Sequence, residues 1–239
     1  MTRHTKIKIA LLAVIVIAVT TAMAGLSREA QQYPVANKKE APDKTSWPVM
    51  DYGASQPENP RRKARGKRHD KSEFRVHPDD PSENTTLVDA IDSNLAALPV
   101  TQSNAVLIGD VLSAQAYLSD DRTGVYSEFT IRVSDIIKSD WDVKIGSLIE
   151  VDRDGGRVKF PSGKTHWYSV DKENMPHVGR RYVLFVTRQN ELGALHLLNG
   201  YELQEGKVFP LDELPQFAAH TAQDETLFMN AVRAALAKR

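Results

Sequence analysis

AVLIGDVLSAQAYL, SDDRTG and VYSEFTIRVS, which together make residues 105–134, read as one β-hairpin and decide the fold class. The first part is an apolar run with Gly109 in its middle, the mark of a long strand bent at a bulge. The second is a polar turn. In the third, Val125, Phe129, Ile131 and Val133 fall on one side, and Glu128, Thr130, Arg132 and Ser134 on the other. Two such strands joined by a short polar loop pair antiparallel.

The strand rhythm continues downstream. Residues 148–152 form a third strand, Asp154-Gly155-Gly156 a turn, and 157–160 the returning strand, with 166–170 continuing that sheet. Residues 182–187 are nearly all apolar and are expected to form the most buried strand. Residues 195–198, 201–204 and 207–209 complete the set, the last two joined by the two-residue turn Glu205-Gly206. Residues 226–236 place Leu227, Phe228, Val232, Ala235 and Leu236 on one helical stripe, with Asp224 or Glu225 near its start.

Upstream of the hairpin, residues 84–98 space Leu87, Val88, Ile91, Leu95 and Leu98 at three and four. That predicts a helix capped by Asn84, Thr85 or Thr86 and ended by Pro99. Residues 84–239 are therefore expected to be mainly β: a small antiparallel OB-like barrel between an N-terminal and a C-terminal flanking helix. The chain has no cysteine, which excludes disulfide scaffolds, thiolate zinc sites and cysteine nucleophiles. A domain of this size buries roughly two-thirds of its unfolded surface and needs no such staple.

The formal charge of zero splits unevenly, into +3 for residues 1–24, +2 for 25–83 and −5 for 84–239. Arg3, Lys6 and Lys8 precede an apolar run from Ile9 to Val19 and a small-residue site at Ala22-Met23-Ala24. This is the layout of a secretory signal peptide, with an uncleaved membrane anchor as the alternative. Either places the remainder outside the cytoplasm, exported to the periplasm or beyond, or tethered to the inner membrane.

Residues 25–83 hold 7 of the 12 prolines and show no apolar period, so they read as a disordered linker. Within them Arg61, Arg62, Lys63, Arg65, Lys67, Arg68 and Lys71 stand against the single Asp70. A solvated, self-repelling spacer is the favoured reading of this run. The functional one is contact with a polyanion: lipid headgroups, a cell-wall polymer or nucleic acid.

NAVLIGDVLSA, VYSEFTIRVSDIIK, SLIEVDRDGG and VGRRYVLFV together resemble, in strand order and rhythm, exported bacterial β-domains of OB-like layout. Their plan is similar to that of the netrin and tissue-inhibitor-of-metalloproteinase modules. Over residues 104–211 the resemblance implies a five-stranded barrel used as a binding platform. It does not carry metalloprotease inhibition, because those inhibitors place a mature N-terminal cysteine on the zinc.

Motifs for chemistry are sparse. Gly163-Lys164-Thr165 ends like a phosphate loop, but Val158 stands where the first glycine is required. Glu150, Asp152 and Asp154 share one face of a strand and offer weak calcium ligation or, the preferred reading, a solvated face. His166, His177, His196 and His220 have no metal-ligand spacing, and no nucleophile-elbow motif occurs.

His166, Trp167 and Tyr168, with Arg180 and Arg181 ahead of the next strand, form the one cluster suited to a ligand contact; ordinary barrel packing is the competing account. The acidic domain argues against nucleic acid. The sequence thus leads to a non-enzymatic extracytoplasmic binding module without cofactor, whose partner is a protein or an envelope polymer. The alternatives are an envelope hydrolase or metal-dependent enzyme near His166 and Glu150, Asp152 and Asp154, or a structural surface protein tethered by its basic linker.

Overall fold

The computed structural model describes residues 43–55, 60–70, 85–87, 92, 94–189 and 194–238. The leader, residues 25–42 and Lys71 lie outside the described residues. The protein is mainly β, with two sheets and a C-terminal helix.

Among the described residues eleven strands follow in chain order: β1 Val49–Asp51, β2 Thr85–Leu87, β3 Ala105–Leu118, β4 Val125–Ser139, β5 Leu148–Asp154, β6 Gly156–Lys159, β7 Thr165–Val170, β8 Arg181–Gln189, β9 Ala194–Gln204, β10 Lys207–Pro210 and β11 Gln223–Asp224. Helix α1, Pro60–Arg68, falls between β1 and β2, and α2, Glu225–Ala237, closes the described chain.

The larger sheet runs β11-β10-β9-β5-β4-β3-β8, and β9 pairs with β8 as well. Each of β3, β4, β5, β9 and β8 therefore has two paired neighbours within that set, with β5 and β9 parallel and the other pairs antiparallel. The hairpin of residues 105–134 is present as β3 and β4, and register shifts beside Leu107, Gly109 and Leu112 bend it. Phe129, Ile131, Val151, Tyr182, Leu184, Val186 and Leu197 form one core. Alternate residues of β8, Val183 and Phe185, join Val106, Ile108 and Tyr201 under Phe228 and Val232 of α2. Because β8 is covered on both faces, its sequence is continuously apolar. Asp224 caps α2, accepting from the N–H groups of Thr226 at 2.9 Å and Leu227 at 3.3 Å.

The smaller sheet, β1-β6-β7-β2, corrects two expectations. Residues 157–160 do not return along β5: Gly155 and Gly156, at φ +98° and +148°, turn the chain away, and β6 pairs with β1 and β7. The helix expected over residues 84–98 is absent from its described part. Thr85–Leu87 instead pair in parallel with Tyr168–Val170, and residues 94–98 are irregular, with a turn at Asn94 and a bend at Ala97 and Leu98. The β-branched Thr85 and Thr86 suit a strand, and the open edge of β7 supplies the ladder. Leu95 is nevertheless buried against Leu214 and Phe217, so the apolar spacing marked a contact surface.

The folded part also begins earlier than residue 84. Trp47, 2% exposed, packs in the main core, Met50 packs with Phe160 and Tyr168, and Arg157 Nε donates to the Trp47 carbonyl at 2.9 Å.

Candidate functional site

The register of the larger sheet lines up charge. On the outer face of β4 and β5, Tyr126 stands opposite Asp154, Glu128 opposite Asp152, and Thr130 opposite Glu150. One strand further, Asp152 is opposite His196 of β9. Like charges facing each other across a ladder repel, so this face requires cations. Helix α1 brings them.

Arg65 reaches three carboxylates: its Nη1 is 2.7 Å from Glu128, its Nη2 3.3 Å from Glu150 and its Nε 3.6 Å from Asp152. Arg62 adds a second cation at 3.5 Å from Glu128. Arg68 pairs closely with Asp152 and donates to Gln189 at 2.7 Å. His69, just past the helix, donates through Nδ1 to Asp154 at 2.7 Å, with Nε2 3.6 Å from Asp152. From the sheet side, His196 Nδ1 donates to Asp152 at 2.9 Å.

Aromatic rings complete the seat. The His69 ring stacks on Tyr126, centroids 4.4 Å apart and planes within 7°. The Arg62 guanidinium lies 4.4 Å above the ring of Tyr117.

These contacts explain why a stretch with no apolar stripe is helical. An isolated nine-residue helix is unstable in water, and α1 holds Ala64 as its one apolar side chain. Pro60 begins it and Arg65, Lys67 and Arg68 occupy its last turn, both favourable positions. The spacing 62, 65, 68 and 69 places Arg62, Arg65, Arg68 and His69 toward the strands. Gly66 allows the approach, since a Cβ there would lie 3.2 Å from the Asp120 nitrogen. A Cβ on Gly124 would overlap the His69 carbonyl oxygen.

Asp152 is wholly buried, and burial alone would raise its pKa; the hydrogen bonds and charges of His196 and His69 hold it far below the carboxylate range instead. Burial would lower His69, 4% exposed, but its hydrogen bonds to Asp152 and Asp154 raise it above the ordinary value of 6.5.

Within the stretch read as a disordered linker, Val49–Asp51 form β1 and Pro60–Arg68 form α1, and the described part of the basic run is seated on the protein's own acids. The side chains of Arg62, Arg65 and Arg68 turn inward onto the protein's own acids, while Lys63 and Lys67 are exposed on the other side of the helix and Arg61 is exposed in its first turn. The solvated-face reading of Glu150, Asp152 and Asp154 is corrected in the same way: Glu150 is exposed, but Asp152 is buried and Asp154 half-buried. Among the described residues no group of His, Asp and Glu has the arrangement to hold a metal ion.

The ligand cluster expected at 166–168 and 180–181 is divided between the sheets. His166, Trp167 and Tyr168 lie on β7 of the smaller sheet. Tyr168 is in the core beside Phe160, and burial pushes its phenol up to about 12. Both ring nitrogens of His166 are buried without a hydrogen-bond partner. Lys44 Nζ sits 6.0 Å from the Trp167 ring and 5.3 Å from that of Trp47, and donates to Ser169 at 3.2 Å. Arg180, by contrast, pairs with Glu202 of β9 at 3.1 Å, and Arg181 opens β8 in an exposed position.

Sequence reasoning missed a second ion network on the inner face of β5. Arg153, fully buried, donates to Asp212 at 2.6 Å and to Glu173 at 3.4 Å.

Among the described residues no helix is long and apolar enough to cross a membrane. No protein-family model, curated protein or solved structure matches this chain.

Proposed function

We propose that this chain is an extracytoplasmic, non-enzymatic interaction module of the cell envelope, built on a five-stranded OB-like barrel of β3, β4, β5, β9 and β8. Support for the barrel comes from the cycle of pairings among these strands and from the parallel β5–β9 contact. Support for export comes from the leader, Arg3 to Ala24.

The observation that carries the binding role is the division of α1 into two charged sides. Its inner side is pinned to the barrel by Arg65 and Arg68, so its outer side displays Lys63 and Lys67 in a fixed array. A mounted array loses less entropy on binding an anionic polymer or headgroup surface than a free tail does. The hydrolase or metal alternative is weaker, because the carboxylates it needs already accept from Arg65, Arg68, His69 and His196.

Cosedimentation of the protein with vesicles containing anionic lipid, and with purified anionic cell-wall polymer, tests this. Binding that disappears in 1 M salt, and in a variant with Lys63 and Lys67 both changed to Glu, is the expected result. Equal sedimentation of that variant and the wild type overturns it.

A further inference from the structure

The face beneath α1 has the makings of a receptor. We propose that the surface formed by Glu128, Glu150, Asp152 and Asp154 over the Tyr117 and Tyr126 rings is a docking site for an arginine-bearing helix of a partner protein, which the chain's own α1 occupies in cis.

Three observations lead there. First, the attachment of α1 is made by charged and aromatic contacts of Arg62, Arg65, Arg68 and His69, without an apolar side chain entering a core. An attachment of this kind is exchangeable, because any helix presenting cations at the same spacing meets the same carboxylates. Second, the seat is shaped for a helix backbone as well as for charge. The notches at Gly124 and against Asp120 admit main-chain atoms that a side chain would keep out.

Third, the occupant does not satisfy its seat. Tyr126 is 0% exposed and its hydroxyl is buried without a hydrogen-bond partner. Burial followed by the charge of Glu128 raises the phenol far above its ordinary value, with Arg65, Arg62 and Asp152 also acting on it, so the group lies among the residues that hold α1. A buried hydroxyl left unmet is a cost. A partner helix that carries a hydrogen-bonding side chain over Tyr126 removes that cost and binds more tightly than α1. The partner class follows from the cis occupant: a helix with basic residues at i, i+3, i+6 and i+7, matching Arg62, Arg65, Arg68 and His69.

This inference goes beyond the outer basic array and does not depend on it. The test uses the full chain carrying Arg65→Glu and Arg68→Glu, which drives α1 off without substituting any residue of the seat, and a fluorescent peptide of residues 60–70 as probe. Binding at least about tenfold tighter than to the wild-type chain is expected, since the wild-type seat is filled. Adding Asp152→Asn, or Gly124→Ala, to that variant is expected to abolish the gain, the first by removing charge and the second by blocking the probe's His69 carbonyl.

Equal or weaker binding by the double variant overturns the proposal, as does binding indifferent to Gly124→Ala, which would reduce it to unspecific charge attraction. If circular dichroism shows that the double variant is unfolded, the wild type decides. Excess peptide should speed hydrogen exchange at the amides of residues 64–69, and unchanged exchange overturns the docking site.

Discussion

Glu128 and Asp152 stand directly opposite each other on β4 and β5, and the guanidinium of Arg65 contacts both, at 2.7 and 3.6 Å. Two carboxylates in that register, one of them wholly buried, are compatible with a stable sheet only while a cation lies between them. The stability of this face and the presence of α1 are therefore the same question.

Arg65→Met leaves both acids short of a partner in a place water reaches poorly. Arg62 still faces Glu128, and Arg68, His69 and His196 still face Asp152, so the free energy of unfolding in urea is expected to fall by about 1.5–3 kcal/mol, the scale of a hydrogen bond to a charged group. Lys67→Met, on the exposed side of the same helix, is expected to change it by less than about 0.5 kcal/mol. Equal effects would mean that the two sides of α1 do not differ.

The seating of α1 should be strongest in a window of pH. His69 has its folded pKa raised above 6.5, so its contribution is complete below 6.5 and is lost as pH rises through the folded value. Asp152 has its folded pKa lowered from 3.8, so its contribution is present above 3.8 and is lost as pH falls through the folded value. Stability measured at pH 5 and at pH 8 should drop more in the wild type than in His69→Gln. An identical drop in both would remove His69 from the account.

Gly124→Ala and Gly53→Ala separate shape from backbone entropy. A Cβ at Gly124 overlaps the His69 carbonyl, whereas a Cβ at Gly53 meets nothing within 4 Å. The first should remove hydrogen-exchange protection from α1 while β8 keeps its own, and the second should leave both unchanged.

On the inner face of β5, Asp212→Asn should cost about 3–5 kcal/mol, because Arg153 is then buried with its closest acid neutralised. Glu173→Gln should cost less, the Glu173 contact being longer, at 3.4 Å, and its side chain more exposed. Urea denaturation of the two variants ranks them, and the reverse order would contradict the geometry.

Hydrophobic rhythm carried the sequence reading as far as it could. The bent run of residues 105–118, the alternation after Val125, the continuous apolar strand at 182–187 and the stripe of 226–236 are all strands or helices at those places. Each is a local signal with one period. What escaped was held by pairings between distant segments. Residues 60–70 have no apolar period, because their helix is anchored by Arg62, Arg65 and Arg68 to acids some 60 to 90 positions away in the chain.

A trace of the site was nonetheless present. Basic residues at 62, 65 and 68 fall on one helical face, and Glu150, Asp152 and Asp154 on one strand face, beside Glu128 on the neighbouring strand. Reading those two stripes as each other's complement would have found the site. The turn at Gly155-Gly156, which sends β6 to the other sheet, was legible as a turn but not in its direction.

Amide hydrogen exchange across residues 62–69, in the wild type and in Asp152→Asn, tests the central claim that the basic run is a helix docked on the acidic face of β5. Protection of these amides in the wild type, lost in the variant while β8 stays protected, is the result expected. Exchange at the rate of an unstructured peptide in the wild type would contradict it.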